Sequence, residues 1–424
     1  MKEKIRFSRK FSKIFSFVLV LLMCTPLPVF AKERASTRSI ADRTEVYTRE
    51  DVYGALTSNL DPNSHGGFYM QDGVLHINVI DENLVTQELY STTNKINRTL
   101  KSFRSSDTNM ISTKEFSDAT NEIVFDQSVK YSYAELQNAV DNLEPFMEDL
   151  DICTIAVLDD KNTIQVGALN IDEDFRNKVS EIVKMDVEDI LFFVHSGKFD
   201  DMEANIMNNT QQEEIRTSAI VDVQPGAQIQ RNDISSYYTN GIGIYDSEFD
   251  VHGYITAGHS VSVGDYFKYF YPGKPLMGTV YDVINLSNKD IALINNTTNA
   301  TRPVLNTQNG KIVLSSASPI VGNKVNVIGS DSGVTSGNIQ SVNVSVHHSG
   351  QTWSKMIQYS NSTNPGDSGA PVLRVNSNGS YSIVGIHKGT SKSPVIKNSS
   401  TFIFCSLKTA VISREVGRNF FHPF

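Results

Sequence analysis

From Ile220 onward the sequence is a succession of short β-rich runs split by Gly, Asn and Ser, and that repetition restricts this half to an all-β barrel or sandwich. One group of runs is Ser235–Tyr245, Val251–Thr256, Tyr266–Phe270, Met277–Tyr281 and Ile291–Ile294. A second is Ile312–Leu314, Lys324–Gly329, Val334–Val346, Trp353–Tyr359, Pro371–Leu373 and Ser380–Ile386, with Thr401–Leu407 closing it and a terminal helix over Lys408–Val416. Runs this short cannot be long helices, and the breakers between them are turn formers.

Three short motifs stand out among these strands. Asn364-Pro365-Gly366-Asp367-Ser368-Gly369-Ala370-Pro371 sets a serine among small turn residues, as an exposed nucleophile requires. A serine hydroxyl is a weak nucleophile, so it needs a base and a group that orients the base. Thr256-Ala257-Gly258-His259-Ser260 supplies the histidine, and Asp290-Ile291-Ala292-Leu293-Ile294 a carboxylate at the head of a strand. Asp282 is the rival carboxylate, but it precedes Val283-Ile284-Asn285 and lacks that context. Taken one by one, each residue also has an ordinary reading as a core, strand-end or turn residue.

In the order His, Asp, Ser, the three motifs resemble those of the chymotrypsin-like serine proteases. The likeness is to secreted bacterial members of the streptogrisin and α-lytic type and to staphylococcal glutamyl endopeptidases, and it runs from about Ile220 to the C-terminus. It implies two six-stranded antiparallel β-barrels, with His259 and Asp290 from the first and Ser368 from the second. In that reading Ser368 attacks the scissile carbonyl, His259 moves the proton, Asp290 orients the imidazole, and the backbone N–H groups of Gly366 and Ser368 form an oxyanion hole. Two departures are visible. Ser260 stands where streptogrisins usually carry a cysteine, which removes a staple, and Ala370 replaces a commoner glycine.

The resemblance also bears on specificity. Ile383-Val384-Gly385-Ile386-His387-Lys388-Gly389-Thr390 looks like the stretch of glutamyl endopeptidases whose histidine meets the P1 carboxylate. It implies substrate contacts by His387 and Thr390, with Thr363 as a hydroxyl lining the same pocket. A histidine and hydroxyl donors suit a carboxylate, and Asn364 and Pro365 supply no acid for a basic P1 residue. Lys388 either adds positive charge there or points to solvent.

The 424 residues leave room for two or three globular units. Lys2, Lys4, Arg6, Arg9, Lys10 and Lys13 precede the apolar run Phe15–Met23, and Val29-Phe30-Ala31 follows, which reads as a secretory signal over residues 1–31. Residues 219–424 form the peptidase region and 32–218 a small acidic α/β region. Formal charge is near −18 over 32–218 against +4 from Ala219 on, so the two parts should attract.

Within the acidic region, Thr48 and Asp51 suggest a helix start, and Asp72-Gly73 a hairpin inside Gly67–Val79. Residues 85–125 are mixed, with a helix over Leu89–Phe103. Then follow a helix over Tyr133–Leu150, strands Ile152–Leu158 and Thr163–Leu169, and a helix carrying Phe175, Val179 and Ile182. By resemblance to the α-lytic type, this is a pro-region that assists folding and blocks the active site. Residues 200–218 read as a linker, with the mature start between Ile215 and Ala219 and with Glu213-Glu214 available for self-cleavage.

Cys24 leaves with the signal, and Cys153 and Cys405 lie in different parts, so no disulfide is expected and Cys405 reads as a buried thiol. No cofactor and no metal is expected, although calcium on scattered loop oxygens stays open. The expected partners are protein or peptide substrates and the chain's own pro-region. A monomer is expected, with no nucleic acid bound and no membrane anchor after signal removal. The alternatives are the same fold with another P1 preference, or a catalytically silent adhesin or binding module.

Overall fold

A computed structural model describes residues 48–102, 113–126, 129–185, 191–196, 199–200, 204–205, 220–231, 236–246, 251–270, 275–286, 289–298, 300–304, 306–307, 310–311, 313–348, 350–391 and 402–405. The signal stretch, Glu213-Glu214, the expected mature start and the expected helix over Lys408–Val416 lie outside these residues.

The acidic region begins with α1 (Arg49–Thr57), closed by the capping box read from the sequence: Thr48 accepts from the Asp51 N–H and Asp51 accepts from the Thr48 N–H. Strands β1 (His65–Gln71) and β2 (Val74–Val79) form the expected hairpin. Asp72 and Gly73 both take positive φ, 51° and 79°, as a two-residue turn between twisted strands requires. The next helix, α2, runs Glu82–Ser102, so it starts earlier than expected, and a further helix, α3 (Thr113–Asn121), was not anticipated. Strand β3 (Val124–Asp126) joins β2 in parallel.

After α4 (Tyr133–Leu143) the helix stops short of Leu150, because Pro145 turns the chain into a 3₁₀ turn over Glu144–Phe146. Strands β4 (Ile152–Leu158) and β5 (Thr163–Ala168) pair as expected. Helix α5 (Glu173–Val183) then carries the chain to β6 (Leu191–His195), parallel to β5. Two short strands follow, β7 (Phe199–Asp200) and β8 (Ala204–Asn205), in the stretch expected to be linker.

The first barrel is built from β9 (Val221–Val223), β10 (Gln228–Arg231), β11 (Ser236–Thr239), β12 (Gly243–Asp246), β13 (Val251–Thr256), β14 (Tyr266–Tyr269), β15 (Leu276–Leu286), β16 (Lys289–Asn295) and β17 (Thr301–Pro303). Hydrogen bonding runs β12-β13-β16-β15-β14-β10-β11. The two ends of that path are one run of chain bent at 240–242, so the sheet returns to its start and the bent run counts as one strand of six. The second barrel uses β18 (Val313–Ser316), β19 (Lys324–Gly329), β20 (Gly333–His348), β21 (Gln351–Tyr359), β22 (Pro371–Val375), β23 (Tyr381–Ser391) and β24 (Phe402–Cys405). Its path β19-β22-β23-β24-β21-β20 is antiparallel throughout and closes through the β19–β20 pairing into a ring of six. The all-β, two-barrel expectation therefore holds.

Strand alternation divides the core into layers. On β16, Ala292 and Ile294 fill the first barrel, whereas Ile291 and Leu293 face the contact between barrels. On β19 and β22, Val325, Val327 and Val372 fill the second barrel, whereas Ile328 and Leu373 meet Ile291 and Leu293 in the shared layer. His259 follows β13 and Asp290 heads β16, next to Ile291 of this layer.

The acidic region joins the second barrel through its sheet. Ala156, Ile155 and Thr154 of β4 pair antiparallel with Val344, Ser345 and Val346 of β20, making one continuous sheet. A buried ion pair, Arg374–Asp51, ties α1 to β22. Glu50 also accepts from the Ser377 N–H at 3.1 Å. Among the described residues no helix is long and apolar enough to cross a membrane.

Candidate active site

His259 follows β13, and Asp290 is the second residue of β16, the strand paired with β13. The two segments approach closely: a Cβ at Gly258 would lie 2.8 Å from both the Ile291 backbone nitrogen and oxygen. Glycine at 258 thus lets the histidine loop lie against the head of β16. The His259 Nδ1–H donates to Asp290 Oδ2 at 2.5 Å, and His259 Nε2 lies 3.2 Å from Ser368 Oγ. That fixes the tautomer, with the proton on Nδ1 and Nε2 free to accept. All three residues are buried. Asp282, the rival carboxylate, is exposed on β15, opposite Leu293.

Ser368 sits on a turn held from several sides. Gly366 and Gly369 take φ of +103° and +90°. A side chain at 366 would run into the Tyr237 ring at 2.3 Å, and one at 369 into Thr256 Oγ1 at 2.1 Å. Asp367, whose part the sequence did not disclose, is fully buried and accepts from the backbone N–H groups of Asn364, Asp331 and Ser332 at 2.8, 3.0 and 3.2 Å. Three amide donors balance a buried carboxylate and lock the nucleophile turn. The Thr239 N–H donates to the Ser368 carbonyl at 2.8 Å, tying that turn to the first barrel.

The expected pocket residues gather beside this turn. The His387 N–H donates to Ala370 O, and the Gly369 N–H to His387 O. The His387 ring is fully buried, and burial holds it neutral, with its pKa pushed down to about 3. Its Nδ1 is 2.8 Å from the Tyr359 hydroxyl, while its Nε2 has no hydrogen-bond partner among the described residues. Thr363 Oγ1 is likewise buried and without a hydrogen-bond partner among the described residues. Thr390 is buried and pairs with Ile403 of β24 and Asp200 of β7.

Lys388 does not point to solvent. The register of β23 against β24 slips between His387 and Gly389, a bulge that breaks the alternation and turns Lys388 inward. Its Nζ lies 3.2 Å from Asp290 Oδ2 and 4.0 Å from the Trp353 ring centroid. Its carbonyl is 3.2 Å from Ser368 Oγ.

Among the described residues no group of three or more His, Cys, Asp or Glu is arranged to hold a metal ion. Cys153 is buried and forms no disulfide among the described residues, and for Cys405 the backbone strand alone is described.

No curated protein matches the chain. Among solved structures it is similar to a chymotrypsin from Cellulomonas bogoriensis, at 22% identity over 45% of this chain and 94% of that one, TM-score 0.37. It is similar to Protease A of Thermobifida fusca, at 23% identity over 46% and 95%, TM-score 0.37. A further likeness is to a glutamic acid-specific serine protease described as using a histidine triad in substrate binding, at 21% identity over 45% and 96%, TM-score 0.38. Residues 241–386 match the family model of the trypsin-like peptidase domain, a span that holds His259, Asp290 and Ser368. Over that stretch the chain resembles trypsin-like peptidase domains, and its two barrels have the chymotrypsin-like arrangement.

Proposed function

We propose that the chain is the precursor of a secreted serine endopeptidase that cleaves after acidic residues, Glu foremost, through an acyl-enzyme. The observation that carries the reading is the linked arrangement of Asp290, His259 and Ser368, joined at 2.5 and 3.2 Å. In it, Ser368 Oγ attacks the scissile carbonyl as His259 Nε2 takes its proton. Asp290 stabilises the imidazolium, which then protonates the leaving amine. The N–H groups of Gly366 and Ser368 meet the developing oxyanion, a contact type worth about 2.7–4 kcal/mol per donor in the barrier.

Two buried, unpartnered polar atoms support an acidic P1 residue. If the Tyr359 hydroxyl donates to His387 Nδ1, the ring proton stands on Nε2, and that N–H and the Thr363 hydroxyl remain to donate to a carboxylate. A ligand that satisfied both would remove a standing desolvation cost of about 1–3 kcal/mol per group.

The precursor part of the reading rests on β7 and β8. Asp200 pairs with Thr390, two residues beyond Lys388, whose carbonyl is near Ser368. Ala204 pairs with Tyr237, two residues before Thr239, which donates to the Ser368 carbonyl. The acidic region thus holds strands on both flanks of a nucleophile that is itself buried. This supports a pro-region that keeps substrates out until it is cut, and Glu213-Glu214 fits a later trimming cut by the enzyme's own specificity.

A P1-varied peptide library tests the reading, together with labelling by a serine-directed phosphonate. Wild-type protein should label and cleave after Glu, and Ser368→Ala should do neither. His387→Ala should lose preference for Glu at least about tenfold while still labelling. Cleavage after another residue would leave the peptidase and remove the acidic pocket. No labelling of the released enzyme would favour a silent binding module.

A further inference from the structure

We propose that Lys388 is a positioning residue of this active site: its buried ammonium holds the Asp290 carboxylate and sets the pH at which His259 becomes available as a base. The proposal rests on the peptidase reading above and adds a fourth group to it.

Asp290 Oδ2 serves two donors at once, His259 Nδ1 at 2.5 Å and Lys388 Nζ at 3.2 Å. Lys388 is 2% exposed, and its ammonium also lies over the face of Trp353 at 4.0 Å. A lysine is among the residues least often buried without a partner. Here the carboxylate and the π face receive it, and the bulge at His387–Gly389 turns it toward them. The placement is specific to the catalytic carboxylate and not to a general acidic patch.

The charge balance has a direct consequence. With a neutral imidazole, the Asp290 anion and the Lys388 cation compensate one another in a buried site. Protonating His259 places a second cation against the same oxygen, within about 5–6 Å of the first. At that distance, and at the effective dielectric suited to protein sites, the repulsion amounts to about two pH units of His259 titration. Lys388 therefore keeps His259 neutral to lower pH than Asp290 alone would allow.

The other groups around His259 do not duplicate this effect. His387, on the same strand as Lys388, is held neutral by burial. The Tyr238 ring on β11 lies 6.3 Å away, and Ser368 contributes a neutral hydroxyl. Arg231 on β10 donates to the Ser260 carbonyl and is paired with Asp265 at 3.3 Å.

The test is a ring titration of His259 by NMR in full-length chain carrying Ser368→Ala, with the resonance assigned by its loss in His259→Asn. Lys388→Met and Lys388→Gln should each move the titration up by about two pH units, and Lys388→Arg should leave it within about 0.3 unit. In released enzyme without Ser368→Ala, the acid limb of kcat/KM should move with it, with rates normalised to phosphonate-labelled sites. A lysine that merely filled space would lower the labelled fraction and leave the limb where it was. An unchanged ring titration, where released enzyme with Ser368 intact does label, would overturn the proposal alone. A shifted titration, where released enzyme with Ser368 intact never labels, would leave the ion pair standing and sink the peptidase reading.

Discussion

The ion pair between Arg374 and Asp51 offers the sharpest test of how the acidic region is held. Arg374 lies on β22, its side chain is 1% exposed, and that of Asp51 is 9% exposed. The guanidinium also donates from Nε to Asn376 Oδ1 at 2.9 Å and from Nη2 toward Thr48 Oγ1 at 3.4 Å, while Nη1 has no partner among the described residues. Removing the carboxylate strands a buried cation that is already short of acceptors, and such a loss costs about 3–5 kcal/mol. Asp51→Ala also opens the capping box of α1, worth about 1 kcal/mol of that total. Asp51→Asn keeps one acceptor oxygen, enough for either the Thr48 N–H or Arg374 but not for both, so it should fall between wild type and Asp51→Ala. Arg374→Met removes the cation and fills much of its volume, so Asp51→Ala/Arg374→Met should recover most of the loss, with a coupling of at least about 1.5 kcal/mol. Urea unfolding followed by far-UV circular dichroism reads this in full-length chain carrying Ser368→Ala, which blocks self-cleavage. The relevant transition is the one that removes the helical signal. If Asp51→Ala and the double variant unfold within about 0.5 kcal/mol of the parent, the pair contributes nothing and the reasoning fails.

Two further outcomes are expected. His65 is buried against Phe68 and Tyr133, accepts from the Gly67 N–H at 3.0 Å, and has its pKa pushed down by burial to about 4. Because the folded value is depressed, its contribution is whole above the unfolded value near 6.5 and is lost as pH falls toward 4, at up to about 1.4 kcal/mol per pH unit. Urea midpoints of His65→Gln should fall less than wild type over that window, and parallel curves would contradict the assignment. Since β7 and β8 flank Ser368, the earliest cut in wild-type chain should fall between Asp200 and Ala204, should be absent in Ser368→Ala, and should not depend on protein concentration. Mass spectrometry of the first fragments decides it, and a first cut after Glu214 would reverse the order proposed above.

How much of this was legible beforehand depends on the range of the interaction. The Thr48–Asp51 cap and the Asp72-Gly73 turn are local chemistry, and both formed as read. The barrel strands were legible because apolar alternation reports burial on each side, and β13 and β19 match the expected runs residue for residue. The linked His259, Asp290 and Ser368 could be anticipated from motif order, although 109 positions separate the histidine from the serine. Helix α4 was read too long because the periodic pattern outweighed Pro145. Lys388 was invisible because alternation predicts a face only while register is unbroken, and β23 slips at that residue. The joining of β4 to β20 was equally hidden, since a strand's sequence does not name the partner of its edge. The part of Asp367 was hidden in the same way, because two of its amide donors, Asp331 and Ser332, lie 36 and 35 positions away in sequence.

Trp353 is the sole tryptophan of the chain, and it stands where two events meet. Its ring packs with Ala156 of β4 and with Val344, Val346 and Met356, and it carries the Lys388 ammonium on its face. A nearby cation shifts and quenches indole emission, and opening the seam at Ala156 admits water to the same ring. The protein therefore contains its own optical reporter, whose intrinsic fluorescence senses the β4–β20 seam and the Lys388–Asp290 pair from one position, without a label.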